Sequence, residues 1–134
     1  MISLLLVEDH PIFSEALVHV LQEKEDLEVA KVVDTAEKAL QALPDLAIDL
    51  ALVDVSLPRM SGIELVGELS QTYPDIPCLM ISGHMSSNYV RRSLEAGARG
   101  YAIKDSAAGI VEAIRRVLDG EIYVSKEIHS FDSL

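Results

Sequence analysis

The sequence predicts an α/β domain built on one parallel sheet with helices on both faces. Apolar runs recur at Ile2 to Val7, Leu27 to Val33, Asp49 to Val55, Ile76 to Ser82 and Tyr101 to Ile103. They are continuous rather than alternating, as in strands covered on both faces. Each is followed by a stretch with apolar residues at helical spacing. Right-handed crossovers leave few ways to close such an alternation. The expected arrangement is a flavodoxin-like (βα)5 doubly wound parallel sheet with strand order 2-1-3-4-5.

Each helix has a local start and stop. Pro11 sits where a first turn tolerates proline, and Ile12, Phe13, Ala16, Leu17, Val20 and Leu21 follow at helical spacing. Asp34 or Thr35 can cap a helix carrying Ala36, Ala39, Leu40 and Leu43, which Pro44 ends. Ser61 and Glu64 have capping-box spacing ahead of Ile63, Val66, Leu69 and Tyr73. Ser86 or Ser87 opens a helix with Val90 and Leu94 inward, stopped by Gly97. Ser106 caps the last, with Ile110, Ile114, Val117 and Leu118, stopped by Gly120. The domain is expected to span 1–121, with 122–134 a linker or tail.

Composition narrows the function classes. Twenty-two acidic against eleven basic residues leave a net charge of −11. Such a chain repels phosphate backbones and suits a cation or a basic partner surface. Cys78, the single cysteine, lies in an apolar run and reads as a small buried hydrophobe. Met1 leads straight into a strand-like run with no leader pattern, and no apolar run approaches the ~20 residues of a membrane span. A cytoplasmic, non-membrane protein is the expectation.

In an open parallel sheet, ligands bind beyond the carboxyl ends of the strands. The first strand ends in Glu8-Asp9, the third near Asp54, the fourth in Ser82-Gly83 and the fifth in Lys104. The topology brings these distant residues to one edge. Clustered carboxylates repel unless a cation joins them, and oxygen ligands with room for water suit Mg²⁺. Asp54 is then a nucleophile toward an activated phosphate, with Lys104 and the Ser82 hydroxyl available to its oxygens. Taken singly each has a plainer reading: a solvated turn, a cap, a surface charge. Their convergence favours the site. His10 reads as a structural residue at a helix start, and His19, His84 and His129 lack ligand spacing. No GxxxxGK[ST] or GxGxxG occurs.

Leu5-Leu6-Val7-Glu8-Asp9-His10, the run Val53-Asp54-Val55-Ser56-Leu57-Pro58-Arg59-Met60-Ser61-Gly62, Ser82 and Tyr101-Ala102-Ile103-Lys104 resemble the receiver domain of two-component response regulators. The resemblance covers residues 2 to about 120. It implies that Asp54 accepts a phosphoryl group from a sensor histidine kinase. It implies that Asp9, Asp54 and the Ser56 backbone carbonyl hold Mg²⁺, with Glu8 assisting through water. Lys104 would contact the phosphoryl group, and Ser82 and Tyr101 match the hydroxyl and aromatic of the switch pair. Such a domain is a regulatory phosphoacceptor, not an enzyme, though it assists its own phosphorylation and dephosphorylation.

Two positions depart from the commonest pattern: Glu8 stands for a first aspartate, and Asp105 follows the lysine where many members have proline. Gly97 to Asp105 and Gly120 to Ser125 resemble the subgroup joined to a LuxR-type helix-turn-helix, a DNA-binding domain outside this chain. Homodimerisation on phosphorylation is expected through the fourth helix, fifth strand and fifth helix, where Arg91, Arg92, Glu95, Glu112, Arg115 and Arg116 supply both signs of charge. The first and fifth helices form the alternative face. A stand-alone receiver acting through protein contacts is the nearest rival. An aspartate-nucleophile phosphatase would want an acid where Ser56 stands, and a flavin-binding module a phosphate-cradling loop where Glu8-Asp9 would repel.

Overall fold

The computed structural model describes residues 1–125. Five βα units run in order: β1 Ile2–Val7, α1 Pro11–Gln22, β2 Leu27–Val33, α2 Ala36–Ala42, β3 Leu50–Asp54, α3 Gly62–Thr72, β4 Cys78–Ser82, α4 Ser87–Ala96, β5 Gly100–Ile103 and α5 Ala107–Leu118. A short strand, β6 Tyr123–Val124, follows. All pairs are parallel, in the order β2-β1-β3-β4-β5-β6. The expected five-strand order is therefore present, extended by β6 at the edge. Tyr123 and Val124, expected in a tail, pair with Gly100 and Tyr101. Two residues are too few to show any periodicity, so no pattern marks this strand. Residues 126–134 of the expected tail lie outside the described residues.

Alternate strand residues feed two cores. Leu4, Leu6, Leu50, Leu52, Leu79 and Ile81 face α1 and α5. Leu5, Val7, Ala51, Val53, Cys78 and Met80 face α2, α3 and α4. Leu4, Leu5 and Leu6 are fully buried, each stabilising by about 2 kcal/mol. Cys78 is buried, and burial pushes its thiol up to about 12. It packs as a hydrophobe.

β2 departs from the expectation of strands covered on both faces. It is an edge strand, its register with β1 shifts between Leu4 and Leu5, and Ala30, Lys31 and Val32 are exposed. In α1 the buried stripe is Ser14, Leu17 and Leu21, with Ile12 and Ala16 exposed. Those two lie about 100° around the helix from Phe13 and Leu17. In α4, Val90 and Leu94 are half-buried and the buried residue is Ser93.

Side-chain hydroxyls cap the helices as their spacing implies. Thr35, Ser61, Ser86 and Ser106 accept from the N–H groups of Lys38, Glu64, Tyr89 and Gly109 at 3.0–3.2 Å. At Ser61 the Glu64 carboxylate reaches the serine hydroxyl at 3.3 Å rather than the cap backbone. Gly97 ends α4 with φ +116°, a conformation that favours glycine.

Gly62 fixes α3 against the end of β3. A Cβ there would lie 1.9 Å from the Asp54 carbonyl oxygen, and the Gly62 N–H donates to the Val55 carbonyl at 3.1 Å. The glycine of the Asp-x-x-x-Pro-x-x-x-Gly run thus allows a helix start to press on the strand that presents Asp54. Gly62→Ala is expected to destabilise the domain by at least about 2 kcal/mol, measurable as a lower denaturant midpoint.

Candidate functional site

The site lies beyond the carboxyl ends of β1, β3 and β5, where the strand order turns back on itself between β1 and β3. Topology makes this the place where an open α/β sheet binds ligands. Glu8 directly follows β1, and Asp54 is the last residue of β3. Both are buried, whereas Asp9 is exposed. One carboxylate oxygen from each of the three lies within 4.8 Å of the others.

Lys104, just past β5, is the countercharge that the buried pair shares. Its Nζ lies 2.5 Å from Glu8 Oε1 and 3.0 Å from Asp54 Oδ2, with the side chain 17% exposed. Beneath it the Phe13 ring centroid is 4.7 Å from the ammonium, a cation–π contact. Burial works against the lysine charge, but the Glu8 and Asp54 carboxylates outweigh it and raise its pKa. The other oxygens are held by backbone: the His10 N–H donates to Glu8 Oε2 and the Ser56 N–H to Asp54 Oδ1, each at 3.0 Å. Burial, then the neighbouring Asp54 carboxyl, push Glu8 up to about 7 against the pull of Lys104.

These residues fit a hard divalent cation. Glu8 Oε1 is buried and accepts no well-aligned hydrogen bond, although the ammonium stands beside it. Two buried carboxylates share one ammonium, and an exposed third is within ligand reach. An all-oxygen set open to water suits Mg²⁺. Glu8, Asp9 and Asp54 are the side chains that would hold it.

Ser82 and Tyr101 meet through the loop after β4. Ser82 is buried, and its Oγ accepts from the His84 N–H at 2.9 Å. Tyr101 is fully buried and its hydroxyl donates to the His84 carbonyl at 3.1 Å. Burial raises the Tyr101 pKa. The His84 ring stands edge-on to Tyr89 of α4, 5.5 Å between centroids. One loop residue therefore links the Ser82 hydroxyl, the Tyr101 hydroxyl and α4.

The structure thus brings together Glu8, Asp9, Asp54 and Lys104, and places Ser82 and Tyr101 on a common loop residue. Ser56 contributes a backbone N–H to Asp54; a role for its carbonyl is unassigned by these contacts. Sequence reasoning missed Phe13 and His84. Phe13 stands four residues after Asp9, on the first turn of α1, and that nearness to the acidic pair was its available signal. His84 acts through its backbone, which leaves no signature in residue type. No peptide bond among the described residues is cis, Lys104–Asp105 included.

Fold and site together define a doubly wound α/β domain with a cation-ready carboxylate cluster and a half-buried lysine at the switch point. A family model described as the response regulator receiver domain matches residues 4–116, and the chain belongs to that family. It is 30% identical over 128 residues to the transcriptional regulatory protein DegU of Brevibacillus brevis, covering 95% of this chain and 54% of that protein. It is 35% identical over 127 residues to the transcriptional activator protein ExaE of Pseudomonas putida, covering 94% of this chain and 59% of that one. The chain thus spans somewhat more than half the length of these curated relatives. A LuxR-family two-component response regulator from an Aurantimonas species superposes with a TM-score of 0.91 at 29% identity, over 96% of this chain and 92% of that one. The receiver domain of the response regulator NarL from Mycobacterium tuberculosis gives 0.84 at 28% identity, over 90% and 98%. Among the described residues no helix is long and apolar enough to cross a membrane.

Proposed function

We propose that this chain is the phosphoacceptor of a two-component phosphorelay, with Asp54 taking a phosphoryl group from a sensor histidine kinase. The observation that carries the reading is the buried Glu8 and Asp54 carboxylates on the half-buried Lys104 ammonium, with Asp9 exposed beside them. A carboxylate oxygen of Asp54 forms the new P–O bond as the P–N bond of a donor phosphohistidine breaks, and the leaving imidazole takes up a proton. Asp54 is acceptor because its strand-end position holds it at the site, with one oxygen oriented by the Ser56 N–H. Lys104 is placed to neutralise the phosphoryl oxygens that arrive beside its ammonium. Mg²⁺, held by Asp9, Asp54 and the Ser56 carbonyl with Glu8 through water, would offset charge on the transferred group.

Receiver domains are regulatory, and the output is proposed to pass to a DNA-binding part beyond this chain. The relatives' longer chains and the printed names of DegU and ExaE as transcriptional proteins support that reading. With a net charge of −11, this chain itself is expected to leave duplex DNA unbound at physiological salt. The relay is proposed to act in the cytoplasm. Phosphorylation is proposed to pair two copies through α4, β5 and α5. On that face Arg91 already pairs with Glu95 and Arg116 with Glu112, and Arg115 is turned to Asp26, so pairing would exchange partners there, while the exposed Arg92 has no ion pair among the described residues.

The test is incubation with acetyl phosphate, followed by intact mass. One phosphoryl group should be gained with Mg²⁺ and almost none with chelator. Asp9→Ala should separate metal from fold. Asp9 is exposed and outside the Lys104 pairs, so its loss should leave metal-free melting within about 2 °C. It should weaken Mg²⁺ binding by roughly tenfold or more, because few carboxylates hold the ion. Wild-type Mg²⁺ affinity in Asp9→Ala would remove Asp9 from the site.

A further inference from the structure

β6 is held to β5 by a ladder in which one acceptor is a side chain. The Tyr123 N–H donates to the Arg99 carbonyl at 3.1 Å, and the Ser125 N–H to the Tyr101 carbonyl at 3.0 Å. In an evenly spaced parallel ladder the next donor, the Ile103 N–H, would go to the Ser125 carbonyl. It goes instead to Ser125 Oγ, at 3.0 Å in a buried bond. The hydroxyl takes the place of the Ser125 carbonyl in the ladder at this position. Ser125 is 6% exposed, although it lies at the outer edge of the sheet.

The position of that bond matters. Ile103 precedes Lys104, whose own N–H donates to the Ser82 carbonyl at 2.9 Å. The end of β5 is therefore gripped from β4 by Ser82 and from the other side by Ser125. The Tyr101 carbonyl is on the same grip. Moving Lys104 or Tyr101 relative to β6 would cost a buried N–H its acceptor unless Ser125 moves too.

We infer that Ser125 is a positioning residue that sets the end of β5 and couples the state of Lys104 and Tyr101 to the path of the chain leaving the domain. The inference rests on the phosphoacceptor reading. It gives residues 123–125 a role in relaying the switch. A relay of this kind needs two arrangements of one connected element that ligand binding biases.

The experiment follows backbone amide resonances of the whole 134-residue chain during titration with beryllium fluoride and Mg²⁺, a phosphoryl mimic, together with amide hydrogen exchange. In the wild type the amides of Val124 and Ser125 should shift in step with those of Tyr101 and Lys104. Ser125→Ala should speed exchange of the Ile103 amide by about tenfold or more. Its Lys104 amide should still respond, with the response at Val124 and residue 125 lost. Ser125→Thr, which keeps the hydroxyl, should behave as wild type. Still amides at 123–125 in the wild type while Lys104 moves would overturn the coupling and leave the phosphoacceptor reading standing. So would an unchanged coupled response in Ser125→Ala. No response at Lys104 together with no phosphoryl gain from acetyl phosphate would overturn both.

Discussion

Asp54→Ala is expected to abolish phosphoryl uptake from acetyl phosphate or a kinase while leaving the metal-free domain at least as stable as wild type. The first effect follows from loss of the nucleophile. The second follows from charge. Glu8 and Asp54 are two buried carboxylates sharing the Lys104 ammonium, and Asp54 helps to raise the Glu8 pKa. Removing Asp54 leaves a balanced Glu8–Lys104 pair. Phosphoryl labelling is read by intact mass and stability by denaturant midpoint. Full labelling of the variant would mean that another residue accepts the group.

Lys104→Met should give the second large effect. Met keeps an unbranched side chain above Phe13, so the substitution isolates the charge. Without the ammonium, two buried carboxylates face each other. Removing one partner of a buried pair is strongly destabilising, and at pH 8 without metal the loss is expected to be roughly 3 kcal/mol. The pH dependence has a definite sign. Glu8 in the folded protein is raised to about 7 from 4.5, so the folded state holds the extra proton between those values. Stability tied to that proton is full below 4.5 and lost as pH rises through about 7. Lys104 pulls the Glu8 pKa down, so without it Glu8 takes up its proton more readily than in the wild type, and the Lys104→Met deficit should be smaller at pH 6 than at pH 8, with Mg²⁺ reducing it. A deficit under about 0.5 kcal/mol at pH 8 would mean that Lys104 is a surface charge. The burial of its partners makes the lysine a structural countercharge beside its proposed phosphoryl contact, which its place at a strand end does not reveal.

How much was legible depended on how far each feature was local. The strands were legible because hydrophobic runs end abruptly in polar residues, as Val7 does in Glu8-Asp9 and Ile103 in Lys104. Once the strands are parallel, those endings share an edge, and the cluster of Glu8, Asp9, Asp54 and Lys104 follows. Helix starts were legible because one hydroxyl three residues ahead of an N–H is a local contact, as at Ser61 and Ser106. Features set by tertiary neighbours were not. Val32 is apolar yet exposed because β2 closes the sheet edge. Gly62 reads only as part of the capping-box run after Ser61 until the Asp54 carbonyl is found where its Cβ would lie. Ser125 looks like the start of a linker, and only pairing with β5 shows its hydroxyl closing a ladder.

The central claim is that the phosphoryl group resides on Asp54. The direct measurement is phosphorylation with acetyl phosphate and Mg²⁺, reduction of the acyl phosphate with borohydride to homoserine, and peptide mapping by tandem mass spectrometry. The account predicts conversion at position 54, dependent on Mg²⁺ and absent at Glu8, Asp9 and the serines. Conversion at Asp9, or a phosphoryl group that resists reduction and maps to a hydroxyl, would contradict it.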